Sequence, residues 1–482
     1  MLRSSLPLPN ELVHEIITWA CTVPDDLDAQ RGKFIKIDRV RERAPFDLGR
    51  VCRTWRSITL VTAEIWRYID VPFLDPYLST PDVKHVLRRV QLKLDRSRAT
   101  SVHVVISCLD SRYLELYEPV LALLQEHRVR FRNLVVYAAG INGALLAAKL
   151  VAGPTPVLNN LQLICQEVPD DDPFYSDQDH HEVQWVFEAN LNFLPNAPVV
   201  TSCMIANITV NDSTFMRGDY PKLESFEIGY YVLPPVWKFM SAHHGLRHLS
   251  IQLASDLEPR PPPEERPVKL HQLHSLRASE TCFSLIGHAV QVFDVPALRE
   301  LTLITSYLEP DGISPELERF FTQVGMHLTR LDMHGFTVYE MEDVTTLSLL
   351  SALQSARFER GYIYPAFFAT LSSTTASMWP HLEYLTLDTV SIVDDGQGSY
   401  EMLGEDVTLS TMNRVVNLAR ARATPQSAQR GASAGWKRLF LKIDNHDPTI
   451  PTISDAHVAL VKLITEAAAR GDPIPTFQVE DL

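Results

Sequence analysis

The stretch Leu298-Arg299-Glu300-Leu301-Thr302-Leu303 decides the fold, because apolar residues hold its first, fourth and sixth positions and polar residues lie between them. The pattern returns in Leu328-Thr329-Arg330-Leu331-Asp332-Met333 and in Leu273-His274-Ser275-Leu276-Arg277-Ala278. A weaker copy is Val200/Cys203/Ile205. The clear copies are anchored by Phe131/Leu134/Val136, Leu158/Leu161/Leu163, Leu223/Phe226/Ile228, Leu246/Leu249/Ile251, Leu273/Leu276/Ala278, Leu298/Leu301/Leu303, Leu328/Leu331/Met333, Leu353/Ala356/Phe358, Leu382/Leu385/Leu387 and Trp436/Leu439/Leu441.

The spacing of these copies indicates how they are arranged. From Leu223 to Leu382 successive copies begin 23 to 30 residues apart, which is the period of a leucine-rich repeat. An antiparallel α+β domain would also contain amphipathic strands, but its hairpins would bring them closer together in sequence. We therefore predict an α/β fold, an irregular leucine-rich-repeat solenoid with a parallel sheet and outer helices.

Side-chain alternation along a strand gives a further test of this fold. The residue between the second and third anchors should point away from the core, and eight of these ten residues are polar. They are Val135, Gln162, Glu227, Ser250, Arg277, Thr302, Asp332, Arg357, Thr386 and Phe440. We predict that Leu249, Leu301, Leu331 and Leu385 form one buried ladder. Helices are predicted from Pro315, with Ser314 as N-cap, and over 411–423 and 456–470.

The first 70 residues follow a different pattern. Pro9 suits the first turn of a helix, where a missing N–H costs no hydrogen bond. Helical spacing puts Leu12, Val13, Ile16 and Ile17 on one stripe. The same spacing predicts a second amphipathic helix with the apolar residues Leu48, Val51, Cys52, Trp55 and Ile58. Helices this short bury little surface alone, so they need the rest of the chain or a partner.

These residues, with the closing pair Ile65-Trp66, resemble an F-box, and the whole chain resembles an F-box protein with C-terminal leucine-rich repeats, of the kind abundant in fungi. The resemblance covers about Leu6 to Trp66, and the stretch 21–45 is an insertion relative to the family's short turn. That insertion is either a surface loop or a change to the adaptor-binding face. We divide the chain into an F-box-like helical unit, 1–70, and a solenoid, 71–482.

The resemblance implies a function. An F-box docks on the Skp-type adaptor of a cullin-RING (SCF-type) ubiquitin ligase, and the repeats would hold a protein target on their concave face for ubiquitin transfer. The residues that match the docking motif are Leu8, Pro9, Leu12, Ile16, Leu48, Val51, Cys52 and Trp55. Because arginine and aromatic residues dominate interface hot spots, target binding is expected at Arg277, Arg357, Tyr384, Arg438 and Phe440. The alternative is an interaction scaffold whose helical unit only caps the solenoid.

Composition limits the remaining classes. A net charge of −15 and a pI near 5.6 disfavour a nucleic-acid partner. The six cysteines include no C-x-x-C pair, which favours free thiols in a reducing compartment, cytoplasmic or nuclear. The sequence has neither a secretory signal nor an apolar run long enough to span a membrane.

The candidates for chemistry are weak. Gly431-Ala432-Ser433-Ala434-Gly435 matches G-x-S-x-G, but a strand is predicted after it rather than before it, the reverse of a nucleophile elbow. A serine hydrolase would also need a histidine and an aspartate near Ser433. His180-His181 lies in an aspartate-rich stretch without metal-ligand spacing. We expect no enzyme activity, no cofactor and no metal site.

Overall fold

The structure, a computed structural model, forms two compact units, residues 1–246 and 247–482. The described residues are 8–21, 39–72, 83–110, 114–166, 194–206, 218–230, 239–240, 242–253, 268–279, 293–305, 313–338, 341–363, 365–372, 378–388, 391–392, 438–443 and 476–481. The predicted helices over 411–423 and 456–470, and the strand-preceding residue Trp436, lie outside them.

The first unit begins with helices and continues with alternating strands and helices. The helices whose bounds are described are α1 (Asn10–Cys21), α2 (Arg39–Val51), α3 (Arg53–Val61), α4 (Val83–Ser97), α5 (Leu114–Glu126) and α6 (Gly140–Leu150), with 3-10 turns at Ala63–Trp66 and Arg128–Arg130. Its strands are β1 (Tyr68–Val71), β2 (Val102–Asp110), β3 (Phe131–Ala139), β4 (Asn160–Gln166), β5 (Ser202–Ala206) and β6 (Ser225–Tyr230). All six are parallel and pair in chain order.

The second unit holds a longer series of short strands. Its main sheet contains β7 (His248–Leu253), β9 (Ser275–Ser279), β11 (Glu300–Ile304), β12 (Arg330–His334), β14 (Ser355–Glu359), β16 (Tyr384–Asp388), β18 (Arg438–Ile443) and β19 (Thr476–Asp481). Between them lie β8 (Val268–Lys269), β10 (Phe293–Asp294), β13 (Thr337–Val338), β15 (Tyr362–Ile363) and β17 (Ser391–Ile392). Its described helices are α7 (Pro315–Val324), α8 (Met341–Ser348) and α9 (Pro365–Ser372).

Parallel pairing in the second unit confirms the predicted ladder. The register aligns Leu249 with Leu276, and Leu301 with Leu331, in one row that continues to Leu385. Each of the four predicted ladder leucines is at most 3% exposed. The fold is therefore α/β, with the parallel ladder of a leucine-rich-repeat solenoid.

A turn before the strand recurs with the repeat. In most described copies the first anchor donates its backbone N–H to the carbonyl three residues earlier, as Leu298 does to Val295 at 3.1 Å. Val200 makes the same bond to Ala197 at 3.2 Å, and its copy forms β5, so the weaker copy is a genuine repeat. Because the same turn precedes most of the described strands, these strands enter the sheet in the same orientation, with their anchor residues on the buried face.

Helices of the second unit cover the ladder face. Ser314 caps α7 as predicted, accepting a hydrogen bond from the N–H of Leu317 at 3.3 Å. Phe358 of β14 packs edge-on against Phe367 of α9, with ring centroids 5.4 Å apart. The Trp379 indole donates to the carbonyl of Leu347 at 2.8 Å, which ties α8 to the next repeat.

The N-terminal helices pack as one small cluster around Val13, Ile17, Cys21, Ile65 and Trp66. Trp66 is 1% exposed, contacts Phe46 edge-on at 5.2 Å and donates its indole N–H to the carbonyl of Thr59 at 2.8 Å. Leu92 of α4 packs against the same cluster. The helices therefore share apolar contacts with the first repeat.

A buried ion pair reinforces that contact. The Lys93 ammonium on α4 donates to Glu42 Oε1 at 2.5 Å, to the Glu42 carbonyl at 3.1 Å and to the Tyr68 carbonyl at 2.9 Å. Lys93 is 1% exposed and Glu42 3%. Burial lowers the pKa of Lys93, while the Glu42 carboxylate acts to raise it. One side chain thus joins α2, α4 and β1.

The structure corrects one expectation for the N-terminal helices and adds detail to two others. The predicted second helix is two helices, because Cys52 has an extended backbone and caps α3 by accepting from the Trp55 N–H at 3.5 Å. The insertion 21–45 is not simply a loop, since residues 39–45 begin α2 and Glu42 is buried; residues 22–38 lie outside the described chain. Of the four residues on the predicted stripe of α1, Val13 and Ile17 are buried, whereas Leu12 and Ile16 are exposed.

Candidate functional site

Helix α1 keeps an apolar surface in solvent. Its inner face, Val13, Ile17 and Cys21, is at most 2% exposed. The opposite residues are Leu8, Leu12, Ile16 and Trp19, exposed by 52%, 46%, 42% and 81%; we call them the α1 apolar face. On a helix, positions 12, 16 and 19 lie within one narrow arc. Isolated apolar residues on a surface are ordinary, but a contiguous set that includes a tryptophan is typical of an interaction site.

Trp19 was absent from the predicted docking set, although helical spacing could have found it. It follows Ile16 by three positions and Leu12 by seven, which places it on their side of the helix. Pro9, also exposed, immediately precedes the helix, and its carbonyl accepts from the Val13 N–H at 3.1 Å. Leu8 lies one residue further out.

The other predicted docking residues divide between surface and interior. Val51 is 60% exposed and Cys52 is also exposed. Leu48 and Trp55 are half-buried and pack against the helical cluster. Their side chains contribute to the stability of the unit, whereas Val51 ends α2 on the outside.

Basic side chains lie near Val51. Arg50 has 79% of its side chain exposed, and Arg53 is exposed as well. Arg56 is exposed and donates from Nε to the carbonyl of Gly49 at 3.0 Å. In a chain of net charge −15, this concentration of arginine would favour an acidic partner surface.

The face of the second unit's main sheet opposite the ladder is its polar face. Its central row follows the register Ser250, Arg277, Thr302, Asp332, Arg357 and Thr386, with Phe440 next by backbone pairing. Ala356 and Phe358 are at most 2% exposed while Arg357 between them is half-buried. Side chains along the strand therefore alternate between the two faces of the sheet as predicted, and most residues of the central row are polar.

Ion pairs link three neighbouring strands of the polar face, β12, β14 and β16. Arg357 Nη2 lies 2.7 Å from Asp388 Oδ2 and 2.8 Å from Glu359 Oε2, and His334 Nδ1 lies 3.1 Å from the same Glu359 oxygen. Burial lowers the pKa of His334, with Glu359 opposing that effect. Sequence reasoning missed His334, Glu359 and Asp388, which follow the third anchor of their repeats and so share a face with Arg357.

The predicted target-binding residues have different surroundings. Arg277 and Arg357 share the central row, and Arg357 is neutralised by its carboxylates. Tyr384 is 40% exposed at the start of β16. The backbones of Arg438 and Phe440 pair with Tyr384 and Thr386. The structure thus places the five on four strands of one sheet; β14, β16 and β18 are neighbours, whereas β9, which carries Arg277, is separated from β14 by β11 and β12. Their role in binding stays a prediction.

The sequence motifs that suggested catalysis or metal binding fall outside the part of the chain that the structure describes. Ser433 and the pair His180-His181 lie outside the described residues. Within the described ranges, no group of three or more His, Cys, Asp or Glu side chains could hold a metal ion. Among the helices described, none is long and apolar enough to cross a membrane.

Comparison with known proteins does not assign the chain to a family. No family model matches the chain, and no curated protein matches it significantly. Among solved structures, the chain is similar to an internalin from Listeria monocytogenes, with 12% identity and a TM-score of 0.31 over 81% of this chain and 94% of that one. Because the TM-score is so low, this similarity supports no conclusion about the fold or the function of the chain. The fold is defined by the parallel strand register and the buried leucine ladder.

Proposed function

We propose that this protein is a substrate-recognition adaptor of an SCF-type ubiquitin ligase, in which the N-terminal helices dock on the Skp-type subunit and the repeats bind a protein target. The observation that carries the proposal is the α1 apolar face, with Leu12 46% and Trp19 81% exposed beside a fully buried inner face. A helix that already has a core on one side does not need a second apolar side for its own stability. A partner protein that covers these exposed apolar residues would explain why the second side is apolar.

The repeats supply the second half of the proposal. A parallel ladder of repeats is a fold suited to protein interaction, because it presents a long row of side chains on a rigid sheet. The adaptor would contribute proximity and orientation, and other subunits would make the bond. A protein in this proposed role would act in the cytoplasm or nucleus.

The test is co-purification of the Skp-type subunit with the full chain. The double variant Leu12→Glu, Ile16→Glu places charges on the exposed face, and the control Val129→Glu changes an apolar residue that is 48% exposed elsewhere in the first unit. We expect the double variant to lose the subunit and the control to retain it, because small apolar interfaces depend on few anchors. Circular dichroism should show that both remain folded.

A second candidate is an interaction scaffold in which the helices only cap the repeats. The observation favouring it is the Lys93 ammonium, which ties α2 to α4 and β1. Failure of the wild-type chain to bind the Skp-type subunit, with target binding intact, would select the scaffold. Binding that survives the Leu12, Ile16 double change would instead move docking away from the α1 apolar face.

A further inference from the structure

Three arginines of the polar face, Arg277, Arg330 and Arg357, differ in how their charge is neutralised. Arg357 has two carboxylates within 2.8 Å. Arg330 Nη2 lies 3.0 Å from Asp332 Oδ2. Arg277 has neither an ion-pair nor a hydrogen-bond partner among the described residues; its Nε, like that of Arg357, is buried without a partner, but Arg277 has no carboxylate at its other nitrogens either. The buried Nε of Arg277 has therefore lost hydration without gaining an acceptor.

The residue beside Arg277 has the same deficiency. Ser250 pairs with Arg277 across β7 and β9, and it is 8% exposed. Its hydroxyl Oγ is buried without a hydrogen-bond partner. Thr302 lies on the other side of Arg277, on β11. Two adjacent donors without acceptors, followed by a third hydroxyl in the same row, define a place where an acceptor is missing.

The geometry of the row suits an oxyanion. Neighbouring strands lie about 4.8 Å apart, so a group held over Arg277 is flanked by a hydroxyl on either side. Because Nε is shielded from solvent, the guanidinium is held close to the sheet, yet Arg277 as a whole is partly exposed. The nearest carboxylate along the row, Asp332, is already held by Arg330 at 3.0 Å and 3.4 Å.

We propose that Ser250, Arg277 and Thr302 form an oxyanion-binding subsite on the polar face, which takes an acidic side chain of the target protein. The inference rests on the proposed function, since it names the chemistry of the target. Arginine supplies charge-assisted hydrogen bonds to an oxyanion, and the hydroxyls orient it. A carboxylate and a phosphate ester both satisfy this chemistry.

The test is direct binding of labelled peptides to the full chain by fluorescence anisotropy. An alternating Gly-Glu peptide and a Gly-phosphoserine peptide are the two acidic probes, and a Gly-Gln peptide is the neutral probe. The variant Arg277→Ala is compared with Arg319→Ala, which removes the same charge from an exposed position of α7. Arg277→Lys keeps the charge without the planar guanidinium, and it also serves if the alanine variant unfolds.

We expect at least one acidic peptide to bind more tightly than the neutral one, and Arg277→Ala to weaken that binding about tenfold. Arg319→Ala should change it by less than about twofold, as a remote surface charge does, and Arg277→Lys should fall between. The acidic peptide that binds more tightly identifies the source of the oxyanion. Equal weakening by Arg277→Ala and Arg319→Ala, or no preference for acidic peptides, would overturn the subsite.

Co-purification of the Skp-type subunit is measured on the same preparations. Peptide binding that needs Arg277 without co-purification would reject the ligase role and leave the subsite in place. Co-purification without any preference for acidic peptides would reject the subsite alone.

Discussion

Removing the Glu42 carboxylate should destabilise the first unit more than a typical surface change. In Glu42→Leu the Lys93 ammonium loses its 2.5 Å partner and keeps only the backbone carbonyls of Glu42 and Tyr68, at 3.1 and 2.9 Å in the wild type. Lys93 is 1% exposed, so water cannot replace the carboxylate. Breaking a buried pair by removing one partner costs about 3–5 kcal/mol.

The reciprocal change should cost less. In Lys93→Met the Glu42 carboxylate still has Arg89, whose Nε lies 3.6 Å away. The double variant Glu42→Leu, Lys93→Met buries no unpaired charge at that pair, and isosteric replacement of a buried ion pair is often close to neutral. We therefore expect the double variant to be more stable than Glu42→Leu alone.

Urea unfolding followed by circular dichroism measures these differences, and hydrogen exchange over 39–61 and 83–97 localises them. Exposed Glu115→Leu on α5 is the control for loss of a carboxylate. The reasoning fails if Glu42→Leu costs less than about 1 kcal/mol, the range of an exposed pair. It also fails if the costs of the two single changes simply add, because residues in direct contact should show coupling.

Three further predictions concern other parts of the chain. Leu301→Ala should lower the free energy of unfolding of the second unit by about 2–5 kcal/mol, as for a buried leucine, whereas Thr302→Ala in the same strand should cost far less; similar urea midpoints would contradict the ladder. Burial lowers the pKa of His243, whose Nε2 accepts from a backbone N–H at 3.2 Å and whose Nδ1 lies 2.7 Å from a carbonyl. The unfolded state therefore binds more protons, and stability present above about pH 6.5 should fall on acidification, with a smaller fall in His243→Gln. Ser433 should not be labelled by a fluorophosphonate probe; stoichiometric labelling that Ser433→Ala abolishes would establish a nucleophile.

Sequence periodicity predicted the repeats because each anchor performs one physical task. Leu298, Leu301 and Leu303 recur at fixed spacing since every repeat must close the same turn and fill the same ladder. The template missed β2 because Ser101 stands at its first anchor position, although Val104 and Ile106 fill the ladder.

The candidate sites were less predictable, because partner choice on a surface has no period. The ion pairs of Arg357 depend on Glu359 and Asp388, and the second of these comes from the neighbouring strand. Among the described residues, Arg277 lacks an ion-pair partner because its neighbours in the row, Ser250 and Thr302, carry no carboxylate. On α1, helical spacing alone could not tell which of two apolar faces is buried, since that depends on how Trp66 and Leu92 pack.

Trp66 belongs to two structures at once. Trp66, Ile69 and Val71 have the spacing of a repeat, so the indole at the centre of the N-terminal helical cluster is also the first anchor of the first strand. A cut after residue 70 would divide β1, and a cut before Trp66 would remove the centre of the helical cluster. The helices and the repeats are therefore not interchangeable modules. A functional graft of the helices onto another repeat protein would have to include β1 and Lys93. The orientation of β1 relative to the helices would then set the orientation of the strands that follow it.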